Sequence, residues 1–128
     1  MEPWTRLAWL ALGALHVLPA TVLFAPALAE RLYGVSPTAD AGVLIVHRGA
    51  LFLGLVAVAT WAAFDPDVRR PASIALALGI VGFLAVYARA GAPAGALRPI
   101  AAADAAALVP LALVLSDAWL RGRPGPAP

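Results

Sequence analysis

The sequence predicts an all-α integral membrane protein, a bundle of four transmembrane helices with both termini on the same side. Two observations lead to this fold class: an apolar composition and four long apolar stretches. The 128 residues are 62% hydrophobic and 12% charged, whereas soluble domains average about 45–50% apolar and about 25% charged residues. A chain of this length forms one domain. We therefore expect a single transmembrane domain over residues 1–128.

The four predicted spans cover residues 4–28, 43–64, 71–90 and 99–120. Each has about 20 mostly apolar residues, the length that crosses a bilayer core about 30 Å thick with its backbone groups paired internally. Pro71 and Pro99 mark helix starts, because a first-turn proline lacks only an N–H that has no helical partner. Pro19 and Pro110 fall inside spans, where each removes a backbone hydrogen bond. The tail, residues 122–128, is predicted to be disordered.

The first segment has an alternative interpretation as a cleaved signal peptide. Ala27, Leu28 and Ala29 form a small-x-small site after an apolar run, as at a signal cleavage site. The run is longer than such peptides use, however, and His16 interrupts it. We therefore favour a membrane span.

Arginine placement predicts the orientation, since cytoplasmic flanks carry the excess of positive charge. Five arginines share the face that holds both termini and three flank the other face: Arg6, Arg69, Arg70, Arg121 and Arg123 against Arg31, Arg89 and Arg98. We expect a multi-pass protein of the cell membrane with cytoplasmic termini. Interfacial tryptophans agree with four alternating spans, because Trp4, Trp9, Trp61 and Trp119 all map to the face that bears the termini.

Composition excludes several classes of function. The chain has no cysteine and a net charge of only +2, which excludes thiolate chemistry and argues against a nucleic-acid partner. His16 and His47 lie at predicted depths about 12 Å apart, which disfavours a haem held by both. Two histidines without a further assured ligand also seldom bind zinc. We expect no metal, no cofactor and, in the absence of a nucleophile beside a base, a protein that is not an enzyme.

Four ionisable residues lie within the predicted spans: His16, His47, Arg48 and Asp104. A charge there costs about 2.5–3.5 kcal/mol on insertion scales, so it should face the bundle interior and a partner. Arg48 and Asp104 each lie about five residues inside spans that begin on the same face. We predict an ion pair between them, direct or bridged by water. Alternatively the pair only sets helix register, or Arg48 extends to the interface while Asp104 caps its helix.

The two histidines each have a structural and a functional interpretation. His47 points about 100° away from Arg48 around the helix. It either bonds a neighbouring carbonyl or joins Tyr33, Glu30 and Asp104 in a polar pocket that opens outward. His16 lies deeper, where it is expected to bond a carbonyl that Pro19 leaves free.

At these polar positions the chain resembles small four-helix bacterial membrane proteins of the DoxX-like group. The matching elements are His16 with Pro19, Arg31-Leu32-Tyr33-Gly34, His47-Arg48-Gly49-Ala50-Leu51-Phe52, Ala63-Phe64-Asp65-Pro66, Leu97-Arg98 and Ala103-Asp104. The resemblance implies a four-helix bundle of uncharacterised function, with His47, Arg48 and Asp104 as its polar signature, and hints at association with quinone or redox enzymes. Some members are labelled phosphopantetheine adenylyltransferase, which does not suit a chain without the His-x-Gly-His motif of that enzyme.

The sequence therefore predicts a non-enzymatic accessory subunit or a binder of a lipid or quinone. Its polar pocket near the outer face would involve His47, Arg48, Asp104, Tyr33 and His16, and its partners would be membrane lipid, a quinone or another membrane protein. The alternative is a small transporter or proton pathway that uses His16, His47 and Asp104. A third hypothesis is a membrane enzyme that acts on a lipid head group with His47 as its base.

Overall fold

The computed structural model describes residues 2–121, and this part of the chain is helical without any strand. Five α-helices are present: α1 (Glu2–Thr21), α2 (Leu28–Tyr33), α3 (Asp40–Phe64), α4 (Arg69–Arg89) and α5 (Leu97–Ser116). A 3₁₀ turn, Pro66–Val68, precedes α4, and a π-helical turn, Asp117–Arg121, follows α5. The all-α prediction is confirmed, whereas the predicted disorder of residues 122–128 lies outside the described residues.

The four long helices form a closed ring of neighbours. α1 packs against α3 and α5, and α4 packs against the same two helices. Because the chain reverses direction at each connection, neighbours in the ring are antiparallel. The core lies along the axis of the ring, where the largest fully buried side chains include Trp9, Leu12, Leu76, Ile80 and Val114.

Within residues 2–121, three helical segments are long and apolar enough to cross a membrane: Asp40–Phe64, Pro66–Arg89 and Leu97–Arg121. Their large apolar side chains lie outside as well as inside the bundle; Leu44, Leu78 and Val109 are each about 70% exposed or more. Soluble monomers rarely show contiguous apolar surface on this scale. The outer surface therefore suits hydrocarbon better than water.

The first helix is shorter than its predicted span. Residues 4–28 were expected to be continuous, but α1 ends at Thr21 and the chain turns before α2 begins at Leu28. The turn is held by the amides of Phe24 and Ala25, which both bond to the Thr21 carbonyl. Pro26 keeps the helix from resuming within this turn, because proline disfavours helical backbone in the residue before it and supplies no amide. The other three spans agree with their helices to within a few residues.

Two glycines, Gly49 and Gly13, lie at close contacts with α3 or with the turn after α1. A Cβ at Gly49 would lie 2.8 Å from the Leu23 backbone nitrogen, and one at Gly13 would lie 3.4 Å from the Ala59 Cβ. Nothing lies within 4 Å of the corresponding positions at Gly54 and Gly82. The helix α1 and the turn after it therefore approach α3 through small residues, as is typical of membrane helices.

Trp9 does not lie at an interface. Its side chain is fully buried in the core, and its indole nitrogen has no hydrogen-bond partner among residues 2–121. Trp4 and Trp61 are largely exposed, at 66% and 59%. The interfacial prediction is therefore wrong for Trp9, because α1 turns that residue toward the ring axis.

Candidate functional site

A cavity of about 490 Å³ lies between the four long helices and α2. Most of its lining is apolar, with contributions from Leu15, Leu18, Phe52, Phe83 and Ile100 among others. Five lining residues carry polar or ionisable side chains: His16, Arg31, Tyr33, Arg48 and Asp104. An apolar pocket with a few convergent polar groups is the usual form of a small-ligand site.

One ring nitrogen of His16 bonds to a backbone carbonyl, and the other is left as an acceptor. The side chain is 3% exposed, and its Nδ1 donates to the Leu12 carbonyl oxygen at 2.7 Å. A carbonyl only accepts, so Nδ1 carries the proton, and in a neutral ring Nε2 is left as an acceptor. His16 does bond a carbonyl, as expected, but one turn before it and not the Leu15 carbonyl that Pro19 leaves free.

Arg48 and Asp104 face the same cavity without touching. Within residues 2–121 neither takes part in a direct ion pair or a side-chain hydrogen bond. The Arg48 guanidinium instead lies over two rings, 4.9 Å from the Phe52 centroid and 5.7 Å from the Phe83 centroid. The structure thus brings both residues to one cavity, while the direct ion pair does not form within the described residues. The water-bridged form stays a prediction.

Tyr33 reaches the cavity from α2, the short helix between α1 and α3. This helix ends at Gly34, whose left-handed backbone, with φ of 68°, lets its amide bond back to the Glu30 carbonyl. Burial raises the pKa of the Tyr33 hydroxyl and nearby Asp104 adds to the rise, although Arg48 acts in the opposite direction. The hydroxyl is therefore protonated at neutral pH and available as a donor.

Two residues expected in the pocket lie elsewhere. His47 and Glu30 are both exposed, and neither lines the cavity. Adjacent residues point about 100° apart on a helix, so α3 directs Arg48 inward and His47 outward. The predicted pocket included both residues, whereas only Arg48 lines the cavity.

A second polar centre lies at the opposite end of the bundle, around Arg69. This arginine is only 5% exposed. It donates from Nη2 to Glu2 Oε1 at 2.6 Å, from Nη1 to Glu2 Oε2 at 3.1 Å and to Asp117 Oδ2 at 3.3 Å, and from Nε to the Ala62 carbonyl at 3.0 Å. One side chain therefore joins the ends of α1, α3 and α5 to the start of α4.

The Arg69 cluster corrects an expectation from the sequence. From the sequence alone, the charged turn that contains Asp65, Asp67, Arg69 and Arg70 is expected to be a solvated hairpin that needs no functional account. Arg69 is instead buried and has a carboxylate partner from each end of the chain, Glu2 and Asp117. The sequence signal for this cluster was that Glu2 and Asp117 are predicted to lie at the same end of the bundle as Arg69.

Among residues 2–121 no group of three or more His, Asp or Glu side chains is placed to hold a metal ion. The side chains of the cavity offer a ligand hydrogen bonds and charge. Donors come from Arg48 and Tyr33, and acceptors come from Asp104 and the free His16 nitrogen.

Comparison with protein-family models, with curated proteins and with solved structures finds no match for this chain. Its resemblance to the DoxX-like group therefore stays a prediction.

Proposed function

We propose that this protein is a non-enzymatic membrane protein that binds an amphiphilic molecule, a lipid or a quinone, in the cavity between its four long helices. Alone or as an accessory subunit of a membrane enzyme, it would hold the polar head of this molecule against Arg48, Asp104, Tyr33 and His16. The observation that carries the proposal is the cavity itself, which combines an apolar wall with Arg48 and Asp104, whose side chains make no ion pair or hydrogen bond within residues 2–121. A DoxX-like relationship would be consistent with this function.

The proposal includes α1 as a fourth span. Its 20 residues extend about 30 Å, the thickness of a bilayer core. Leu7, Val17 and Leu18 are about half exposed on its outer face, while Trp9 and Leu12 fill the core. The helix is therefore apolar toward both its neighbours and its surroundings. With four spans, the excess of arginine favours cytoplasmic termini and an outer location for the cavity.

Bundle packing favours a binder over a proton pathway. A relay from His16 toward the Arg69 end would need polar groups between them. That region is occupied by buried apolar side chains, including Leu12, Leu76 and Leu111. This apolar layer supports a cavity that is closed toward the Arg69 end of the bundle, and it gives no support to proton conduction through the bundle.

Native mass spectrometry of the protein extracted in mild detergent tests the proposal. We expect a retained lipid or quinone that Ala103→Phe displaces, since Ala103 lines the cavity. Ala106→Phe is the matched control, because Ala106 is exposed on the same helix outside the lining. Equal retention by both variants, or no bound amphiphile in the wild type, would contradict a binding function for the cavity.

A further inference from the structure

The cavity presents charges of both signs, each without a charged partner. Arg48 has its guanidinium over Phe52 and Phe83 but makes no hydrogen bond within residues 2–121. Asp104 faces the same space from α5 and likewise has no hydrogen-bond donor there. At the other end of the bundle, Arg69 makes four such bonds. This difference indicates that Arg48 and Asp104 are available to bond to a ligand in the cavity.

These two residues restrict the ligand more than the cavity volume does. A buried charge in a low-dielectric site is costly unless it is paired. An anionic head group would satisfy Arg48 but leave Asp104 opposite a like charge. A neutral carbonyl head, such as that of a quinone, would accept from Arg48 without offering a charge to Asp104. A head group with both an anion and a cation satisfies both residues.

We infer that the ligand carries a zwitterionic head group, an anionic phosphate-type group together with a primary ammonium. This inference rests on the proposed binding function and names its ligand class. The anion lies toward Arg48, with Arg31 as a second cation in the lining and the Tyr33 hydroxyl as a further donor. The ammonium donates to Asp104 and to His16 Nε2.

The rings in the cavity favour a primary over a quaternary ammonium. Quaternary ammonium groups are recognised by aromatic cages. Here Phe52 and Phe83 already lie against Arg48, so they do not surround a second cation. Asp104 and His16 offer acceptors, which need N–H donors that a trimethylated nitrogen lacks. Ethanolamine-type heads therefore fit better than choline-type heads.

A competition experiment tests the head group. The detergent-purified protein is incubated with equal amounts of phosphatidylethanolamine, phosphatidylcholine and phosphatidylglycerol of identical acyl chains, and the bound lipids are counted by native mass spectrometry. We expect an excess of phosphatidylethanolamine of about tenfold over each competitor, the ratio that one charge-assisted hydrogen bond supports. A second arm adds soluble phosphoethanolamine, and displacement of the lipid by it at millimolar concentration would identify the free head group as the recognised molecule.

Variants assign the preference to residues. Asp104→Asn should reduce the ratio of ethanolamine to choline lipid to near one, while Asp65→Asn, at an exposed turn at the other end of the bundle, should leave it unchanged. Bound lipid without any head-group preference, or a preference for phosphatidylglycerol, would overturn the zwitterion inference and leave the binding function intact. Absence of any bound lipid, together with retention of an added short-chain quinone, would overturn it in favour of a neutral head group. Absence of both ligands would overturn both proposals.

Discussion

Replacing Arg69 with alanine tests whether this side chain holds the ends of the helices together. The substitution removes four hydrogen bonds and leaves the Ala62 carbonyl without its side-chain donor. It also removes the charged partner of Asp117, whose side chain is 16% exposed. Breaking a buried ion pair costs about 3–5 kcal/mol. Glu2 is 53% exposed, so water compensates part of its loss, as at other surface pairs. We expect a net loss of about 3 kcal/mol in the free energy of unfolding.

The measurement is reversible unfolding in mixed micelles of mild detergent and sodium dodecyl sulfate, followed by far-ultraviolet circular dichroism. Arg89→Ala serves as the control, since Arg89 is exposed in the last turn of α4; surface changes of this kind usually cost less than about 0.5 kcal/mol. Arg69→Lys should fall between the two, because lysine keeps the charge but loses the bidentate contact with Glu2. An Arg69→Ala protein as stable as the Arg89→Ala protein would refute the assignment of Arg69 as the central contact of this end.

Two further predictions concern stability. Gly42→Ala should lower the free energy of unfolding by about 2 kcal/mol or more, because the new Cβ would lie 1.8 Å from the Ser36 carbonyl oxygen. Gly54→Ala, where nothing lies within 4 Å of the new Cβ, should be neutral or stabilising. Equal effects of the two substitutions in the same unfolding assay would contradict the close approach at Gly42. The hydrogen bond from Arg69 lowers the pKa of Glu2 below its usual 4.5. The stability from this group is therefore present above about pH 4.5 and is lost as the pH falls through the lowered pKa of the folded state. Unfolding titrations from pH 6 to pH 3 should show a steeper loss for the wild type than for Glu2→Gln, and parallel curves would argue against the contact.

The long helices were predictable because their cause is local. An apolar run of the right length forms a helix wherever hydrocarbon surrounds it, and no tertiary information is needed. The end of α1 was not predicted, since the sequence stays apolar through residues 22–25 while the backbone already turns before Pro26. Composition describes which residues hydrocarbon tolerates, and it does not describe where hydrogen bonding along the helix stops.

The Arg69 cluster was missed because two adjacent arginines look alike in sequence. Arg69 and Arg70 follow the same charged turn, and helical geometry separates their side chains by about 100°. Which one faces inward depends on how the 3₁₀ turn Pro66–Val68 starts α4. Arg69 therefore points toward Glu2 and Asp117, while the Arg70 guanidinium lies over the Trp119 ring at 5.4 Å. The direction in which each arginine points is therefore set by the geometry of the turn and not by the residue type.

The sequence predicted that Arg48 and Asp104 belong to one site, but it did not predict the separation of their side chains. Residue counting placed Arg48 and Asp104 at similar heights, because rise per residue is constant along a helix. Their lateral separation depends on the rotation of α3 and α5 and on the space that Phe52 and Phe83 occupy. The same rotation directs His47 outward, which position along the chain alone could not specify.

The two arginine-centred ends of the bundle differ in a way that bears on function. If polar residues inside the bundle served only to set helix register, both ends should be internally satisfied, since unpaired buried charge is costly. Arg69 meets this expectation with two carboxylates and a carbonyl. Arg48 does not, although Asp104 lines the same cavity. A purely structural role explains the first end and fails to explain the second, where the two charged residues line a cavity of about 490 Å³.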